Sequence, residues 1–452
     1  MNTLHGQPVL ILGLGASGLA IARWCARAGA DVTVADTREA PPQRAALLRD
    51  VPGAQFIGGA FTPELGALPW AAVFRSPGLS PATIAPVLGA IDAEKTLAGG
   101  ELSLFSTALT DLQATQGYAP RVLAITGTNG KTTVTALTGQ LVERAGKTVA
   151  VAGNIGPTLL DTLAGHVDAG TLPEVWVLEL SSFQLDAATG FEPTAATVLN
   201  VTQDHLDWHG DMPAYAAAKA RIFGRQGVLV LNRDDATVMA MLPPAPAKGQ
   251  PERSVITFGA DLPQRPGDYG LESVQGMTWL VRAQDADGTR QRSRRKPQEA
   301  EELHIQRLMP ADALRIRGRH NATNALAALA LASASGASLA PMLYGLREYR
   351  GEPHRVEPVA LIDGVEYFDD SKGTNVGATV AALLGLGAER RVVVILGGDG
   401  KGQDFAPLAP AVAAHARGVV VIGRDGPQIA AALAATGVPV MPAAAMDEAV
   451  TL

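Results

Sequence analysis

Short apolar runs alternate with helical patterns along the whole chain. Residues 8–13 form an apolar run that ends in glycine, and residues 31–36 form a second such run. Between these runs, apolar side chains recur at helical spacing, at Ala20, Ile21, Trp24 and Cys25. The order of strand, glycine-rich turn, helix and strand predicts a βαβ unit, and residues 73–79 predict another strand that ends in a turn.

Similar patterns recur in the middle and at the end of the chain. Residues 122–126 predict a strand and residues 134–145 a helix, and further strands are predicted at 148–152, 174–179 and 196–200. Residues 111–120 are polar and predict a connection between the first two units. A third α/β pattern starts after about residue 350, with strands at 392–396 and 418–423. Because nearly continuous apolar strands alternate with helices, we expect parallel sheets that are buried on both faces.

Length and composition narrow the class of protein. A chain of 452 residues fits about three domains, since single cores stop growing beyond about 250–300 residues. The net charge of −7 argues against a general nucleic-acid binder, which would carry a basic surface. Cys25 is the sole cysteine, so internal disulfides and cysteine-based zinc sites are excluded. No signal peptide is recognisable, and apolar runs such as 325–332 are too short to span a bilayer, so we expect a soluble, cytoplasmic protein.

One segment, residues 284–302, is polar and contains a basic run at Arg290, Arg292, Arg294, Arg295 and Lys296. An RNA-binding arm is one interpretation. We favour a solvated loop insertion, because acidic residues follow at once and no aromatic residue is interleaved.

The first glycine-rich loop reads Gly-Leu-Gly-Ala-Ser-Gly over residues 13–18, directly after a predicted strand and before a predicted helix. Asp36 lies at the end of the next strand. This context is typical of a dinucleotide-binding turn, in which a helix N-terminus faces a pyrophosphate. The same geometry suits any nucleoside diphosphate, and a tight turn with packing glycines is the alternative without a ligand.

The second loop reads Thr-Gly-Thr-Asn-Gly-Lys-Thr-Thr over residues 126–133. Gly130, Lys131 and Thr132 match the core of a phosphate-binding P-loop, although the loop is shorter than the usual motif. Its backbone amides would cradle phosphates, Lys131 would reach the β and γ oxygens, and the Thr132 hydroxyl would contact Mg²⁺. Two such loops predict two phosphorylated ligands, which is what an enzyme needs if it uses ATP on a second, nucleotide-bearing substrate.

Acids and imidazoles follow two of the central strands. Glu179 ends one strand, and Asp204 and His205 follow another, with Lys219 on the next helical stretch. Because ligand sites of α/β sheets lie at the carboxyl ends of strands, we expect these residues to meet there, with Glu179 and Thr132 supplying oxygen ligands to Mg²⁺. For His209 we favour a cap or a surface pair.

Taken together, these segments resemble the Mur ligases, ATP-dependent enzymes of peptidoglycan precursor synthesis. The resemblance is carried by residues 127–133, 200–207, 215–219, 318–324 and 354–357. The segments 179–185, 369–375 and 397–402 look like those of the members that add D-glutamate, although Asp369 stands where those members often have Asn. The resemblance implies three α/β domains: a Rossmann-like domain at 1–103 that binds a UDP substrate, a central P-loop ATPase-type parallel-sheet domain at 104–350, and a Rossmann-like domain at 351–452.

The resemblance also implies a reaction and its residues. ATP would convert the carboxylate of UDP-N-acetylmuramoyl-L-alanine to an acyl phosphate, which the amine of D-glutamate would attack. The implied ATP-binding residues are Gly127, Thr128, Asn129, Gly130, Lys131, Thr132, Thr133, Asn321, Asn324, Arg355, Asp370 and Lys372. The implied catalytic residues are Lys131, Glu179, His205 and Lys219. The implied ligands of two Mg²⁺ ions are Thr132, Glu179, His205 and Lys219, with the lysine carbamylated.

The first loop would then bind uridine diphosphate instead of a dinucleotide. The implied residues for the UDP substrate are Gly15, Ala16, Ser17, Asp36, Thr37, Arg38, Gly78, Asn154, Ser182, Gln184 and His205. Thr374 and Lys401 would hold the carboxylates of D-glutamate. The implied protein is a monomer, with no nucleic-acid partner and no membrane insertion.

Three alternatives stay open at this point: another amide ligase of this kind, such as a folylpolyglutamate synthase; an NAD-dependent oxidoreductase built on residues 13–18; and a non-catalytic nucleotide-binding regulator. The family also ends in a Ser-Pro-Ala…Ser…Asp-x-Phe segment, which has no counterpart before Leu452. We therefore expect the C-terminal domain to be truncated and the D-glutamate pocket of this chain to be incomplete.

Overall fold

Five parallel strands near the N-terminus form a sheet in the order β3-β2-β1-β4-β5. This computed structural model describes residues 4–244, 252–286, 303–388, 390–400 and 402–452. The strands are β1 (Pro8–Leu12), β2 (Asp31–Asp36), β3 (Gln55–Gly58), β4 (Ala72–Arg75) and β5 (Leu97–Gly100), and the helices are α1 (Ala16–Arg27), α2 (Arg44–Asp50), α3 (Pro63–Gly66), α4 (Pro81–Leu88) and α5 (Glu101–Gln116).

The third glycine of the first loop sets how closely α1 packs on the sheet. A Cβ at Gly18 would lie 2.0 Å from the carbonyl oxygen of Gly13, a distance that no packing can accommodate. At Gly15 the nearest atom to such a Cβ is 3.6 Å away, which is an ordinary contact.

We predict that Gly18→Ala lowers the midpoint of thermal unfolding of the ligand-free protein by roughly 5 °C or more, because α1 must move away from β1. Gly15→Ala is the matched control and should shift the midpoint by less than about 2 °C. Differential scanning calorimetry compares them, and equal midpoints for the two variants would contradict the packing role of Gly18.

The central part contains a six-stranded parallel sheet in the order β11-β10-β9-β6-β8-β7 and a three-stranded antiparallel sheet in the order β12-β13-β14. The parallel strands are β6 (Arg121–Thr126), β7 (Val149–Gly153), β8 (Val175–Glu179), β9 (Ala195–Val198), β10 (Val228–Asn232) and β11 (Val255–Phe258), and the antiparallel ones are β12 (Tyr269–Val274), β13 (Met277–Asp285) and β14 (Leu303–Pro310). The helices are α6 (Lys131–Arg144), α7 (Leu159–Ala169), α8 (Ser182–Asp186), α9 (Leu206–His209), α10 (Met212–Ala220), α11 (Ala236–Met239), α12 (Arg319–Ala334) and α13 (Leu339–Glu348), and 3₁₀ turns lie at Arg221–Phe223 and Ala311–Ala313.

The C-terminal part has a separate small core. An antiparallel hairpin precedes a three-stranded parallel sheet in the order β17-β18-β19. The elements are β15 (Glu357–Ile362), β16 (Val365–Asp369), α14 (Val376–Leu386), β17 (Val392–Gly397), α15 (Leu408–His415), β18 (Ala416–Ile422), α16 (Gly426–Leu433), β19 (Val440–Pro442) and α17 (Met446–Thr451). The α/β class with parallel sheets is thus confirmed, whereas the antiparallel sheet β12-β13-β14 was not predicted.

One hydrophobic core joins the N-terminal and central sheets. Leu102 and Phe105 of α5 belong to the same buried cluster as Leu159 of α7 and Trp176 of β8, and the rings of Phe105 and Trp176 meet edge to face at 5.1 Å. By contrast, the residues packed around Val412 and Val421 form a cluster of their own in the C-terminal part. The first two parts therefore share apolar packing, and the third does not take part in it.

The predicted polar connection at residues 111–120 is wrong for its first half. Helix α5 continues to Gln116 and ends where Gly117 adopts a positive φ of 68°. Leu112 is buried, whereas the polar residues of this last stretch face solvent. The polar composition of the stretch therefore did not indicate a helix. The domain boundary predicted between residues 103 and 104 falls inside α5.

The apolar run 325–332 lies within α12, where every one of its residues is fully buried. Across the part of the chain that the structure describes, none of the helices has the length and apolar character needed to cross a bilayer. Two predictions, the basic run at 290–296 and the contact of Lys401 with D-glutamate, lie outside the described residues.

Candidate active site

The first glycine-rich loop leaves the carboxyl end of β1, the strand between β2 and β4. Gly15 caps α1, and Ala16 and Ser17 form its first turn, so their backbone N–H groups point out of the helix N-terminus. The loop after β4 lies alongside, because a Cβ at Gly15 would meet the Ser76 hydroxyl at 3.6 Å. Gly78, in this same loop, is exposed.

The carboxylate of Asp36 accepts hydrogen bonds from within the protein and stabilises the first loop. Its side chain is 2% exposed. It accepts the backbone N–H of Leu14 at 2.7 Å and both the backbone N–H and the guanidinium of Arg38 at 2.8–2.9 Å. Burial raises its pKa, but these hydrogen bonds outweigh burial and bring the pKa to about 2. Both carboxylate oxygens are thus occupied, so Thr37 and the exposed Arg38 are the groups of this strand end that are open to a ligand.

The second loop leaves β6 and leads into α6. Gly127 and Gly130 have φ values of 155° and 82°, which favour glycine. The side chain of Asn200 accepts the Asn129 N–H at 2.8 Å and donates to the Asn129 carbonyl at 3.1 Å, and in this way holds the loop from the end of β9. Thr128 is anchored similarly, since its hydroxyl lies 3.3 Å from that of Tyr215.

The lysine of this loop folds back onto it. Lys131 Nζ donates to the carbonyl oxygens of Gly127 and Thr128, both at 2.9 Å. Burial lowers the pKa of Lys131, and the charges of Glu179 and Asp204 oppose that shift. A phosphate oxygen would replace a carbonyl as the acceptor of this ammonium.

Asn321 and Asn324 lie at the start of α12, against the same loop. The Asn324 amide donates to Asn321 Oδ1 at 3.1 Å, and a Cβ at Gly130 would come within 2.9 Å of Asn324 Oδ1. The structure therefore places Asn324 beside Gly130 of the second loop, and Asn321 is hydrogen-bonded to Asn324.

The carboxylate of Glu179 is almost fully enclosed at the end of β8. Its side chain is 1% exposed, and Oε1 accepts the side-chain amide of Asn154 at 2.9 Å. The other oxygen, Oε2, is buried without a hydrogen-bond partner among the described residues. A buried carboxylate oxygen without a donor is costly, and a hard cation would satisfy it. The chemistry of this oxygen therefore fits a ligand of Mg²⁺.

Lys219 is the most unusual residue of the site. It is 1% exposed, and its Nζ donates to the Gly127 carbonyl at 2.9 Å, the same acceptor that Lys131 uses. Its Nζ also lies 4.5 Å from the ring centre of Tyr215. Burial and the neighbouring Lys131 charge hold the pKa of Lys219 well below its usual value, while Asp204 opposes them. These surroundings therefore disfavour the charged ammonium form of Lys219.

His205 adopts a left-handed conformation with φ of 54° at the start of α9. Asp204 holds this turn, since its Oδ1 accepts the His205 N–H at 2.9 Å and its Oδ2 lies 3.7 Å from His205 Nε2. The imidazole packs edge-on against Phe183 and Tyr215, with ring centres at 4.8 and 6.3 Å.

The structure differs from the expectation for His209. Its Nε2 lies 2.9 Å from the hydroxyl of Ser182, and its ring stacks on Phe183. Burial lowers its pKa to about 4, so the ring is neutral near pH 7. A single histidine gives no sequence signal for such a contact, because Ser182 lies 27 residues earlier.

Gln184, a predicted residue of the substrate site, has a local structural role. Its Oε1 accepts the Ser181 N–H at 2.9 Å in a capping box at the start of α8.

Two residues of the C-terminal part reach the second loop. A guanidinium N–H of Arg355 donates to the Thr132 hydroxyl at 2.7 Å. Asn375, the N-cap of α14, exchanges two side-chain hydrogen bonds with Asn129, at 2.8 and 3.1 Å. Asn200 and Asn375 were both absent from the predicted site residues, although they stand inside the motifs at 200–207 and 369–375.

The remaining predicted residues of the C-terminal part lie around the turn after β16. Asp370 accepts the Val356 N–H at 3.1 Å, and burial raises its pKa. Lys372 and Thr374 are exposed, and Thr374 lines a large open cleft together with Gly398 and Asp399. The structure does not bring Lys372 or Thr374 into contact with the second loop through any hydrogen bond among the described residues.

Comparisons with known proteins agree with this architecture. Three family models match in order: the MurD-like N-terminal domain of Mur ligases at residues 7–98, the Mur ligase middle domain at 125–332, and the glutamate ligase domain of Mur ligases at 354–452.

Similar relatives include the UDP-N-acetylmuramoylalanine–D-glutamate ligases of Albidiferax ferrireducens and Burkholderia thailandensis. The first is 68% identical over 100% of this chain and 90% of its own length, and the second is 60% identical over 98% and 88%. Among solved structures, the MurF of Acinetobacter baumannii has a TM-score of 0.56 at 19% identity and covers 86% of this chain and 85% of its own. The UDP-N-acetylmuramate–alanine ligase of Thermotoga maritima has a TM-score of 0.55 at 19% identity, covering 97% and 91%. With family models matching most of its length and relatives this similar over nearly all of it, the chain belongs to the Mur ligase family.

Proposed function

We propose that this chain is the ATP-dependent ligase that adds D-glutamate to UDP-N-acetylmuramoyl-L-alanine in peptidoglycan precursor synthesis. The observation that carries the proposal is the pairing of two phosphate-binding loops, one after β1 and one after β6, in two sheets that share one core. The identity of 68% to a relative with that name supports the choice of D-glutamate as acceptor. We further propose a monomer that works in the cytoplasm without nucleic acid or membrane insertion.

The reaction has two steps that balance. The carboxylate of the L-alanine moiety attacks the γ-phosphorus of ATP, so a P–O bond forms as the bond to ADP breaks. The amine of D-glutamate then attacks the acyl carbon, a C–N bond forms, and inorganic phosphate and a proton leave. Catalysis here consists mainly of positioning and of charge stabilisation, because phosphoryl transfer requires little covalent chemistry from the protein.

The proposed ATP site comprises residues 127–133 with Asn321, Asn324, Arg355, Asp370 and Lys372. The backbone amides of the loop and the Lys131 ammonium would hold the phosphates. Arg355 already contacts Thr132, which supports a position beside the transferred phosphoryl group. The asparagine pair at the start of α12 supports a contact with the nucleoside.

Mur ligases use ATP and Mg²⁺. The unpartnered Oε2 of Glu179 and the Thr132 hydroxyl would hold one ion, and His205 with a carbamylated Lys219 would hold a second. When bound, these ions offset the negative charge that gathers on the phosphates during transfer.

The depressed pKa of Lys219 supports the carbamate. A neutral amine attacks CO₂, forms an N–C bond and releases a proton, and this converts a cation into an oxygen ligand that suits Mg²⁺. A buried ammonium at the same place would repel both Lys131 and the metal.

The proposed UDP-substrate site follows the first loop and ends near α8. Gly15, Ala16, Ser17 and Gly78 would meet the diphosphate, and Asp36, Thr37 and Arg38 would lie near the uracil. Asn154, Ser182, Gln184 and His205 would line the muramoyl-alanine end. Thr374 and Lys401 would hold the carboxylates of D-glutamate, since a dianion suits hydroxyl and cationic donors.

We predict that His209→Phe raises the KM for the UDP substrate by three- to tenfold and leaves kcat within twofold. Phenylalanine preserves the stacking on Phe183 but removes the hydrogen bond to Ser182, a contact worth about 1 kcal/mol. His166→Phe is the matched control, because the His166 ring hydrogen-bonds to Thr171 and lies edge to face on Trp176, neither of which is a proposed site residue. An unchanged KM in steady-state assays would remove His209 from substrate positioning.

Phosphate release tests the function. The purified chain receives ATP, Mg²⁺ and UDP-N-acetylmuramoyl-L-alanine with D-glutamate, L-alanine, L-lysine or meso-diaminopimelate in parallel. We expect release at least 100-fold faster with D-glutamate than with the other amino acids. Faster release with another amino acid, or with a folate acceptor, would assign the chain to a different amide ligase, and release with no acceptor at all would indicate an ATPase.

A further inference from the structure

An ion pair crosses from the N-terminal sheet to the helix proposed to line the muramoyl-alanine end of the substrate. Arg75 is the last residue of β4, and Asp186 is the last residue of α8. A guanidinium N–H of Arg75 donates to Asp186 Oδ2 at 2.6 Å, across 111 residues of the chain. The two side chains are 13% and 30% exposed, so most of the solvent is kept from the pair. A charged hydrogen bond in such surroundings is stronger than one on the open surface.

The arginine of this pair adjoins the loop proposed to bind the diphosphate. Ser76 follows Arg75 directly, and its backbone N–H donates to the Leu12 carbonyl at the end of β1, at 2.8 Å. A Cβ at Gly13 would lie 2.9 Å from the Ser76 Cβ, and one at Gly15 would lie 3.6 Å from its hydroxyl. Arg75 therefore lies next to the two loops that follow β1 and β4.

The aspartate of this pair ends α8, the short helix that carries two of the residues proposed for the muramoyl-alanine end. The chain that follows packs on the N-terminal part of the protein. The Ser103 hydroxyl donates to the Ala187 carbonyl at 3.3 Å and accepts the Thr189 N–H at 3.0 Å. Contacts at the C-terminal end of α8 therefore set its place relative to the N-terminal sheet, and Arg75 supplies a charged one through Asp186.

A second ion pair joins the same two parts of the protein at another place. Arg27, the last residue of α1, binds Asp168 of α7 at 2.6 Å. Because Arg27 ends α1, it lies at the opposite end of that helix from residues 15–17. The Arg27–Asp168 pair therefore provides a matched reference, an ion pair across the same junction that adjoins neither the first loop nor α8.

We propose that Arg75 and Asp186 are positioning residues that fix the separation between the diphosphate loop and α8, so that one substrate molecule contacts both. UDP-N-acetylmuramoyl-L-alanine spans both segments in the proposed site, whereas UDP alone reaches only the first. A ligand that bridges two segments binds more tightly when their separation is fixed beforehand, because binding then costs less conformational entropy. This inference rests on the proposed function, specifically on the placement of the two ends of the UDP substrate.

Titration calorimetry with two ligands, UDP and UDP-N-acetylmuramoyl-L-alanine, tests this role. In Arg75→Met and in Asp186→Ala, the affinity for UDP should stay within twofold of the parent, and the affinity for UDP-N-acetylmuramoyl-L-alanine should fall about tenfold. In steady-state assays the KM for the UDP substrate should rise by a similar factor, while the KM for ATP stays within twofold. Equal loss of affinity for both ligands, or loss for neither, would overturn the proposal.

A double variant and a reference pair distinguish positioning from a general loss of stability. If the two residues act as a pair, Arg75→Met combined with Asp186→Ala should bind UDP-N-acetylmuramoyl-L-alanine within twofold of the weaker single variant, and fully additive losses would contradict the pairing. Arg27→Met and Asp168→Ala remove the reference ion pair and should leave both affinities within twofold. A selective tenfold loss in these two variants as well would also overturn the proposal, since any ion pair across the junction would then have the same effect.

The result also separates this inference from the proposed function. Binding with the expected pattern but without D-glutamate-dependent phosphate release would leave the positioning role intact and reject the function. Ligase turnover with the same KM for the UDP substrate in every variant would keep the function and reject the positioning role.

Discussion

Lys131→Ala should reduce D-glutamate-dependent phosphate release by at least about 1000-fold and leave the affinity for UDP within twofold. The loss corresponds to about 4 kcal/mol of transition-state stabilisation, the order expected when a charge-stabilising group is removed from an enclosed site. Lys131 Nζ lies on the second loop and is bonded to Gly127 and Thr128, and within the described ranges no hydrogen bond joins it to residues 13–18. The two loops follow strands of different sheets, so one can lose its ligand while the other keeps it.

Two companion variants make this test specific. Lys131→Arg keeps the positive charge but not the compact ammonium, and should recover less than a tenth of the parent activity. Lys147→Ala removes a partly exposed lysine between α6 and β7, 4.0 Å from Glu174, and should leave turnover unchanged. Parallel loss of UDP binding and turnover in Lys131→Ala would show that the two-site assignment is wrong.

Lys219→Ala should lower kcat by at least 100-fold at ordinary CO₂ levels, and an added short carboxylate such as formate or acetate should restore part of the activity. The side chain is fully buried beside the Gly127 carbonyl and the Tyr215 ring. Truncation to alanine leaves a space at that position, in which a small anion can supply the oxygens that the carbamate is proposed to provide.

The matched control for this rescue is Lys219→Met. Methionine fills nearly the same volume but supplies no oxygen, so this variant should be inactive and should not respond to added carboxylate. Thermal unfolding of both variants checks that the fold persists. Equal failure of rescue in the alanine and methionine variants, with both folded, would count against the carbamate role.

Much of the parallel-sheet architecture followed from local patterns. Nine strands were predicted from apolar runs, and each has a counterpart in the structure, from β1 to β18. These runs were readable because strands buried on both faces are apolar at every position. The antiparallel strands β12 to β14 were missed because half-buried strands alternate in polarity and resemble loops in composition. The last turns of α5 were assigned to a polar connection for a similar reason, since they are polar on the side that faces solvent.

Local motifs likewise place some of the predicted site residues and leave the contacts of others undetermined. Residues of the two loops lie where strand-turn-helix motifs place them, because a short motif determines its own backbone path. For Asp36 the motif predicts an acid near the ligand, and the structure adds that Leu14 and Arg38 already donate to both of its oxygens.

By itself, the sequence determined which chemical groups are present, the positions of the two glycine-rich loops, and the family to which the chain belongs. The tertiary structure alone decided which distant residues meet. Arg355 reaches Thr132 across 223 residues, and Asn375 pairs with Asn129 across 246. It also decided that Lys219 and Glu179 are buried. The physical reason is that a turn or strand depends on neighbours within a few positions, whereas burial and long-range pairing depend on how whole sheets and helices pack.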